Sequence, residues 1–313
     1  NAIVWDIETG AEIRRIRHTA GLWSARFSPD GTQVLGGAMD NIATLWEVAT
    51  GREIRTFGQF TMNETAVAFS PDGTRVMTGS RSSKGKLWDV ATGAEIRSFY
   101  QQYGVWSMAF SRDRTKILTG GGDGSAVLWD ADTGAEIPRV SHTINDMIFS
   151  VAFSPDETHI LTGSGGENDM ATLWDIASGK EIQEYKGNMD NIMSVAFSPD
   201  GAKVLTGSFD GTASLWDTKT GEEIRCFCTH TDKVSAAVFS PDGTQVLTGS
   251  LDGTAKLWDT ESGAEIRTFT HSSFVYSVDF SPDGRRILAA LGDGTVRIWN
   301  FTEPTGVDQW WEQ

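Results

Sequence analysis

Apolar residues along this chain fall in short runs of strand length, separated by clusters of Ser, Pro, Asp, Gly and Thr. Residues 240–259, SPDGTQVLTGSLDGTAKLWD, show the pattern best. Ahead of them, Val234–Phe239 (VSAAVF) is an apolar run that stops at Ser-Pro-Asp-Gly. Gln245–Ser250 is the second run and stops at Leu251-Asp252-Gly253; Asp-Gly is a strong hairpin turn. Residues 254–258 form the third run, Glu261-Ser262-Gly263 turns the chain again, and residues 264–269 (AEIRTF) form the fourth. The runs are too short for helices, and hairpin-short connections predict a four-stranded antiparallel meander.

The unit repeats. Trp258-Asp259 recurs as Trp5-Asp6, Trp46-Glu47, Trp88-Asp89, Trp129-Asp130, Trp174-Asp175, Trp216-Asp217 and Trp299-Asn300, at intervals of 41, 42, 41, 45, 42, 42 and 41 residues. Phe-Ser-x-Asp recurs seven times between Phe27 and Asp283. So regular a period means stacked units sharing one continuous core. It overrides the two domains that 313 residues would otherwise suggest. In the third run, Ala255 and Leu257 face one side and Thr254, Lys256 and Trp258 the other, so both faces carry bulk. Such a sheet needs a neighbour on each face. A radial ring supplies both and protects the edges.

These signatures resemble the tryptophan–aspartate (WD) repeat family of β-propellers, over essentially residues 1–300. The resemblance implies an all-β, seven-bladed propeller of four-stranded antiparallel blades. The first strand of each blade would line a central channel and the fourth would lie outside. It also implies staggered closure. Residues 12–17 (EIRRIR) carry the outer-strand sequence ahead of the first full repeat and should pair with residues 295–299. Residues 2–5 read as an additional third strand, and residues 307–313 (VDQWWEQ) could pass as a seventh outer strand, so the two ends compete for the last blade. An eight-bladed ring would need an eighth first and second strand, which the sequence lacks. The expected organisation is one domain over residues 1–313: a closing region at 1–18, seven repeats at 19–300 and a tail or outer strand at 301–313.

Composition narrows the function. Net charge is −16, from 26 basic and 42 acidic residues, which argues against a nucleic-acid or anionic-lipid surface. No apolar stretch reaches the length of a membrane span. The chain starts at Asn1, inside a strand-like pattern, and reads as a piece of a longer protein with a cytoplasmic setting. Cys226 and Cys228 are expected to be unbridged, buried or half-buried apolar residues, and two thiols fall short of a zinc site.

Several constellations mimic chemistry. His230, Thr248, Asp252 and Trp258 share one repeat, and a hydroxyl, an imidazole and a carboxylate together suggest a hydrolase triad. No nucleophile elbow accompanies them. They resemble instead the family's structural tetrad, in which Trp, Thr, His and Asp hydrogen-bond across one blade. By residue identity the tetrad is complete only there. Asn188, Gln59 and Gln101 take the His slot in the fifth, second and third repeats. Gly36 and Ala289 replace the hydroxyl in the first and seventh, and Asp169 is displaced by an insertion in the fourth. Residues 79–86 (GSRSSKGK) miss the phosphate-loop spacing, residues 120–124 are a strand-to-turn glycine cluster, and Asp130-Ala131-Asp132 lacks the rest of a calcium loop. The sequence assigns no catalytic residue, metal ligand or cofactor.

The repeats diverge most near the start of each first strand. Four residues before the strand-ending Phe stand Trp23, Thr65, Trp106, Phe149, Met193, Ser235 and Tyr276, with Phe274 two residues ahead of Tyr276. Just before the tetrad Asp stand Met39, Phe209 and Leu251, with Arg81 in the equivalent slot of the second repeat. The resemblance places these residues on the narrow top face, which the family commonly uses to bind peptides and proteins. Aromatics there are typical interface anchors; the competing reading is that they only plug the channel. The expected function is a non-enzymatic scaffold for a protein or peptide, possibly one with a basic segment to match an acidic rim. A purely structural or designed propeller is the alternative, and a channel enzyme would need convergent polar groups at the first-strand slots.

Overall fold

A computed structural model describes residues 3–5, 16–58, 64–80, 84–141, 146–166 and 169–300. They form seven sheets in a ring, every described element being a β-strand. The sixth blade shows the plan. Val234–Phe239, Gln245–Ser250, Thr254–Asp259 and Glu265–Thr270 pair antiparallel in chain order, with Val246 opposite Trp258 and Leu257 opposite Arg267.

The core lies between blades rather than inside them. Leu205, Leu215 and Phe227 of the fifth blade close on Val234, Val246 and Trp258 of the sixth. Leu22, Val34 and Trp46 of the first blade close on Leu288, Val296 and Ile298 of the seventh, so the ring is complete. This is why the third strand carries bulk on both faces: each sheet is one wall of two cores.

The last blade is completed from the chain's other end. Ile16 and Arg17 pair antiparallel with Val296 and Thr295, the closure predicted for residues 12–17. On the same edge, Ile3–Trp5 runs parallel to Arg297–Trp299. The segment that reads as an extra third strand is therefore a short edge strand of the same blade. The other candidate for this edge, residues 307–313, lies outside the described residues.

Local chemistry sets the turns. In Ser240-Pro241-Asp242-Gly243 the Ser240 hydroxyl donates to Asp242 Oδ1 at 2.6 Å, and the Thr244 amide donates to the same oxygen at 3.0 Å. The third repeat has Arg114 at the glycine position and the fourth has Glu157, and both adopt the left-handed backbone with φ of 65° and 58°. The Asp side chain thus holds the turn without the glycine. Between blades, Arg225 on a fourth strand donates to the Glu261 and Ser262 carbonyls of the next blade at 2.6 and 2.7 Å. Arg55 and Arg97 make the same pair of bonds one blade on.

One expectation is corrected. Cys226 and Cys228 are exposed and disulfide-bonded, with Cα atoms 5.5 Å apart. They sit at the end of an outer strand, facing solvent rather than a core, where alternate residues lie on one side at bonding reach.

Candidate functional site

All seven first strands carry a β-bulge at the same place. The register slips between Leu22 and Ser24, Glu64 and Ala66, Val105 and Ser107, Ile148 and Ser150, Ile192 and Ser194, Val234 and Ala236, and Val275 and Ser277. The skipped residue is the variable one: Trp23, Thr65, Trp106, Phe149, Met193, Ser235 or Tyr276. A bulge re-aims the side chain it displaces. Outside the second blade, whose Glu64 and Thr65 side chains fall outside the described residues, the neighbours on either side go into the blade cores or the channel wall and the bulged residue lines the mouth.

The result is a chamber of 560 Å³ that opens at this mouth between Trp23, Trp106, Phe149, Met193, Phe209, Leu251 and Tyr276 and runs down the channel to Phe27, Phe69 and Phe110. Trp23 stacks tilted on Tyr276 with ring centroids 4.4 Å apart, and Trp106 on Phe149 at 5.1 Å. The first pair straddles blades one and seven and the second blades three and four, so the two pairs stand across the mouth from each other. Phe274 lies outside the chamber, half exposed, with its ring 6.2 Å from Tyr276. Met39 is not brought to the chamber; it packs over Gly21. Arg81 and the Thr65 side chain fall outside the described residues. Ser235 is held by backbone, donating to the Gly249 and Val275 carbonyls at 3.0 and 2.6 Å. Lys233 lies 4.3 Å over the Phe209 ring, and burial pushes the Tyr276 hydroxyl up.

Sequence reading missed two groups. Tyr103 and Met189 are exposed apolar residues on loops of the same face, Met189 being 88% exposed; Met147, which the sequence does mark two residues ahead of Phe149, is exposed at its strand start. The others among the described residues are Ile96, Ile182, Ile224 and Ile266, at one repeated position of the outer strands, together with Tyr100 and Phe274. The second missed group is Arg26 and Asp279. They occupy the penultimate first-strand position, where the other five blades have Ala68, Ala109, Ala152, Ala196 and Val238. That departure from Ala was the available signal. Arg26 lines the top chamber, and Asp279 lines a second cavity of 540 Å³ at the other mouth among strand-ending phenylalanines and turn prolines.

Below the lip, serines stitch the ring. Ser107, Ser150 and Ser194 each accept from a backbone amide of the next blade, those of Val151, Val195 and Ala237, at 3.0–3.1 Å. These three hydroxyls thus serve the fold.

The same holds for His230, Thr248, Asp252 and Trp258. Trp258 Nε1 donates to Thr248 Oγ1 at 2.9 Å, which lies 2.7 Å from His230 Nε2, and His230 Nδ1 lies 2.9 Å from Asp252 Oδ2. Asp accepts only, so Nδ1 carries the proton and the Thr248 hydroxyl donates to Nε2. Burial pushes His230 below its ordinary value, although Asp252 pulls it up. Burial works against the Asp252 carboxylate, but bonds from Thr254, His230 and Thr231 hold it below the usual range. Thr248 is fully buried with both its roles used, so it cannot reach a substrate. The third blade closes the same chain with an amide. Thr119 donates to Gln101 Oε1 at 2.7 Å, Gln101 Nε2 donates to Asp123 at 3.1 Å, and Trp129 donates to Thr119 at 2.8 Å. Completeness by residue identity therefore understated the tetrad. In the fifth blade Asn188 accepts from Thr206 but reaches Thr212 instead of Asp210. Gln59, and His142 at the His slot of the fourth repeat, lie outside the described residues. Among the described residues no group of His, Cys, Asp and Glu could hold a metal ion, and no helix is long and apolar enough to cross a membrane.

The WD domain, G-beta repeat, family matches residues 10–47, 51–89 and 93–130, and the IFT122 first beta-propeller family matches residues 147–309, more than half the chain. The chain belongs to the WD-repeat β-propeller family. No curated protein matches it. Each WD-repeat match in residues 10–130 opens ahead of an outer strand and closes on the third strand of the following blade. The repeat is thus one strand out of phase with the blade, and every repeat ties two blades together.

Proposed function

We propose that this WD-repeat propeller is a non-enzymatic scaffold that binds a protein or peptide at the top mouth of its channel. One observation carries the reading. Bulges recur at equivalent positions in all seven first strands, six of the bulged residues line a single opening, and four of those six are aromatic. The opening leads into a chamber of 560 Å³. That volume falls in the range of ligand pockets. Exposed Tyr103, Met189 and Phe274 extend the apolar surface beyond the lip, and such patches mark interaction sites. The acidic balance of the chain favours a partner with basic residues around its anchor.

Affinity capture with the wild type and with Trp23→Ala/Trp106→Ala/Tyr276→Ala tests this. The wild type should recover partners that the triple variant loses at unchanged melting temperature. An Ile96→Ser/Ile266→Ser control on the outer belt should keep them. Equal recovery by the wild type and a folded triple variant overturns the proposal.

A further inference from the structure

Among the described residues, Arg26 is the one cation lining the chamber behind the aromatic lip. Its Nη1 donates to the Ser277 hydroxyl at 2.8 Å and to the Ala25 carbonyl at 2.9 Å, which bends the guanidinium upward to the level of the serines. Nε and Nη2 have no hydrogen-bond partner among the described residues. Asp279, on the neighbouring strand, turns one carboxylate oxygen to the Phe27 amide at 3.0 Å and lines the opposite cavity. The guanidinium therefore keeps a donor edge toward the chamber, one to two residues along the strand below Trp23 and Tyr276, on the order of 5 Å. The walls around it include Ala66, Ala68 and Ala109, and Ser107 and Ser150 each accept from a backbone amide of the next blade.

We propose that the chamber receives the free C-terminus of a partner protein, its α-carboxylate bound by Arg26 and its apolar last side chain held between the aromatic pairs. The proposal rests on the top-mouth reading and specifies its ligand. A guanidinium edge in an apolar enclosure is built for the planar carboxylate. A dianion such as a phosphate calls for several cations, and among the described residues only the Arg26 cation lines the chamber. Chamber size selects the source of the carboxylate. An acidic side chain from a segment crossing the mouth would fill little of 560 Å³, whereas a chain end entering along the channel axis fills it. Net charge agrees: a chain at −16 repels an acidic segment but tolerates one enclosed terminal carboxylate behind basic residues.

The test uses the whole chain and two random hexapeptide libraries, one ending in a free acid and one in an amide. Binders selected from the acid library should lose about tenfold or more in affinity when amidated. Arg26→Met should impose the same loss on the acid peptides and none on their amides, and Arg26→Lys should recover part of it. Thermal melting of each variant checks that the ring is intact. If selected acids and amides bind alike and Trp23→Ala/Trp106→Ala weakens both, the carboxylate assignment falls and the top-mouth reading stands. If neither library contains a binder sensitive to Trp23→Ala/Trp106→Ala, both fall.

Discussion

His271 shows what a missing hydroxyl does. Ala289 stands where the tetrad has Thr, and neither His271 nitrogen has a hydrogen-bond partner although the residue is buried. Ala289→Thr should supply a hydroxyl between His271 and Trp299 and raise stability by about 1 kcal/mol in denaturant unfolding. The same consensus change in the first blade should fail. A Cβ at Gly36 would lie 2.7 Å from the Trp46 ring, which occupies the space, so Gly36→Thr should destabilise by ~1–3 kcal/mol. The reverse ranking of the two variants would contradict this account. His271 also sets a pH dependence. Burial first, and the Arg297 cation second, push it down to about 3 from an ordinary 6.5, with Asp293 opposing. The unfolded chain then binds a proton that the native state refuses. Stability is fully present above pH 6.5 and is lost progressively as pH falls toward 3. His271→Gln should flatten the upper part of that decline in melting temperature, above the range where the turn carboxylates titrate. An unchanged slope would show that His271 does not carry it.

Strands and turns were legible because each rests on local chemistry. Alternation, Asp-Gly and Ser-x-Asp specify hairpins without reference to the rest of the fold, and the Asp113 turn survives even with Arg112 and Arg114 around it. The bulges were not legible. Trp23 and Ser24 read as successive strand residues, and only pairing with the second strand shows that one of them is displaced. The Glu-Ile-Arg motif of the outer strands likewise has a purpose visible only across blades, since Arg225 bonds to turn carbonyls of the next one. Its loss should be measurable. Arg225→Ala should cost about 1 kcal/mol, a modest figure because the bonds are exposed. Gln183 fills the Arg slot of the fourth blade, lies against Gly221 and donates only to the Glu184 carbonyl. Gln183→Arg should reach the Lys219 and Thr220 carbonyls and raise the melting temperature. A lower melting temperature would show that the stitch depends on its blade.

At the scale of the whole molecule, the seven first strands together with the family resemblance predicted the number of blades, and the outer-strand sequence ahead of the first repeat supplied the segment for the staggered closure that the resemblance implies. The chamber was only half legible. Trp106 and Phe149 stood out because they diverge from neighbouring copies, but Met39, in an equally variable slot, packs over Gly21 instead. Variability marks where the ring tolerates change, and only three-dimensional closure decides which variable residues share an opening. Arg26 and Asp279 were hidden because each is a single departure, informative only once blades one and seven meet. Photo-crosslinking tests the central claim most directly. Benzoylphenylalanine in place of Phe149 on the lip should form a covalent adduct with a captured partner, and the same group in place of Ile266 on the outer belt should not. Adducts from position 266 with none from position 149 would place the partner on the side of the ring and contradict recognition at the mouth.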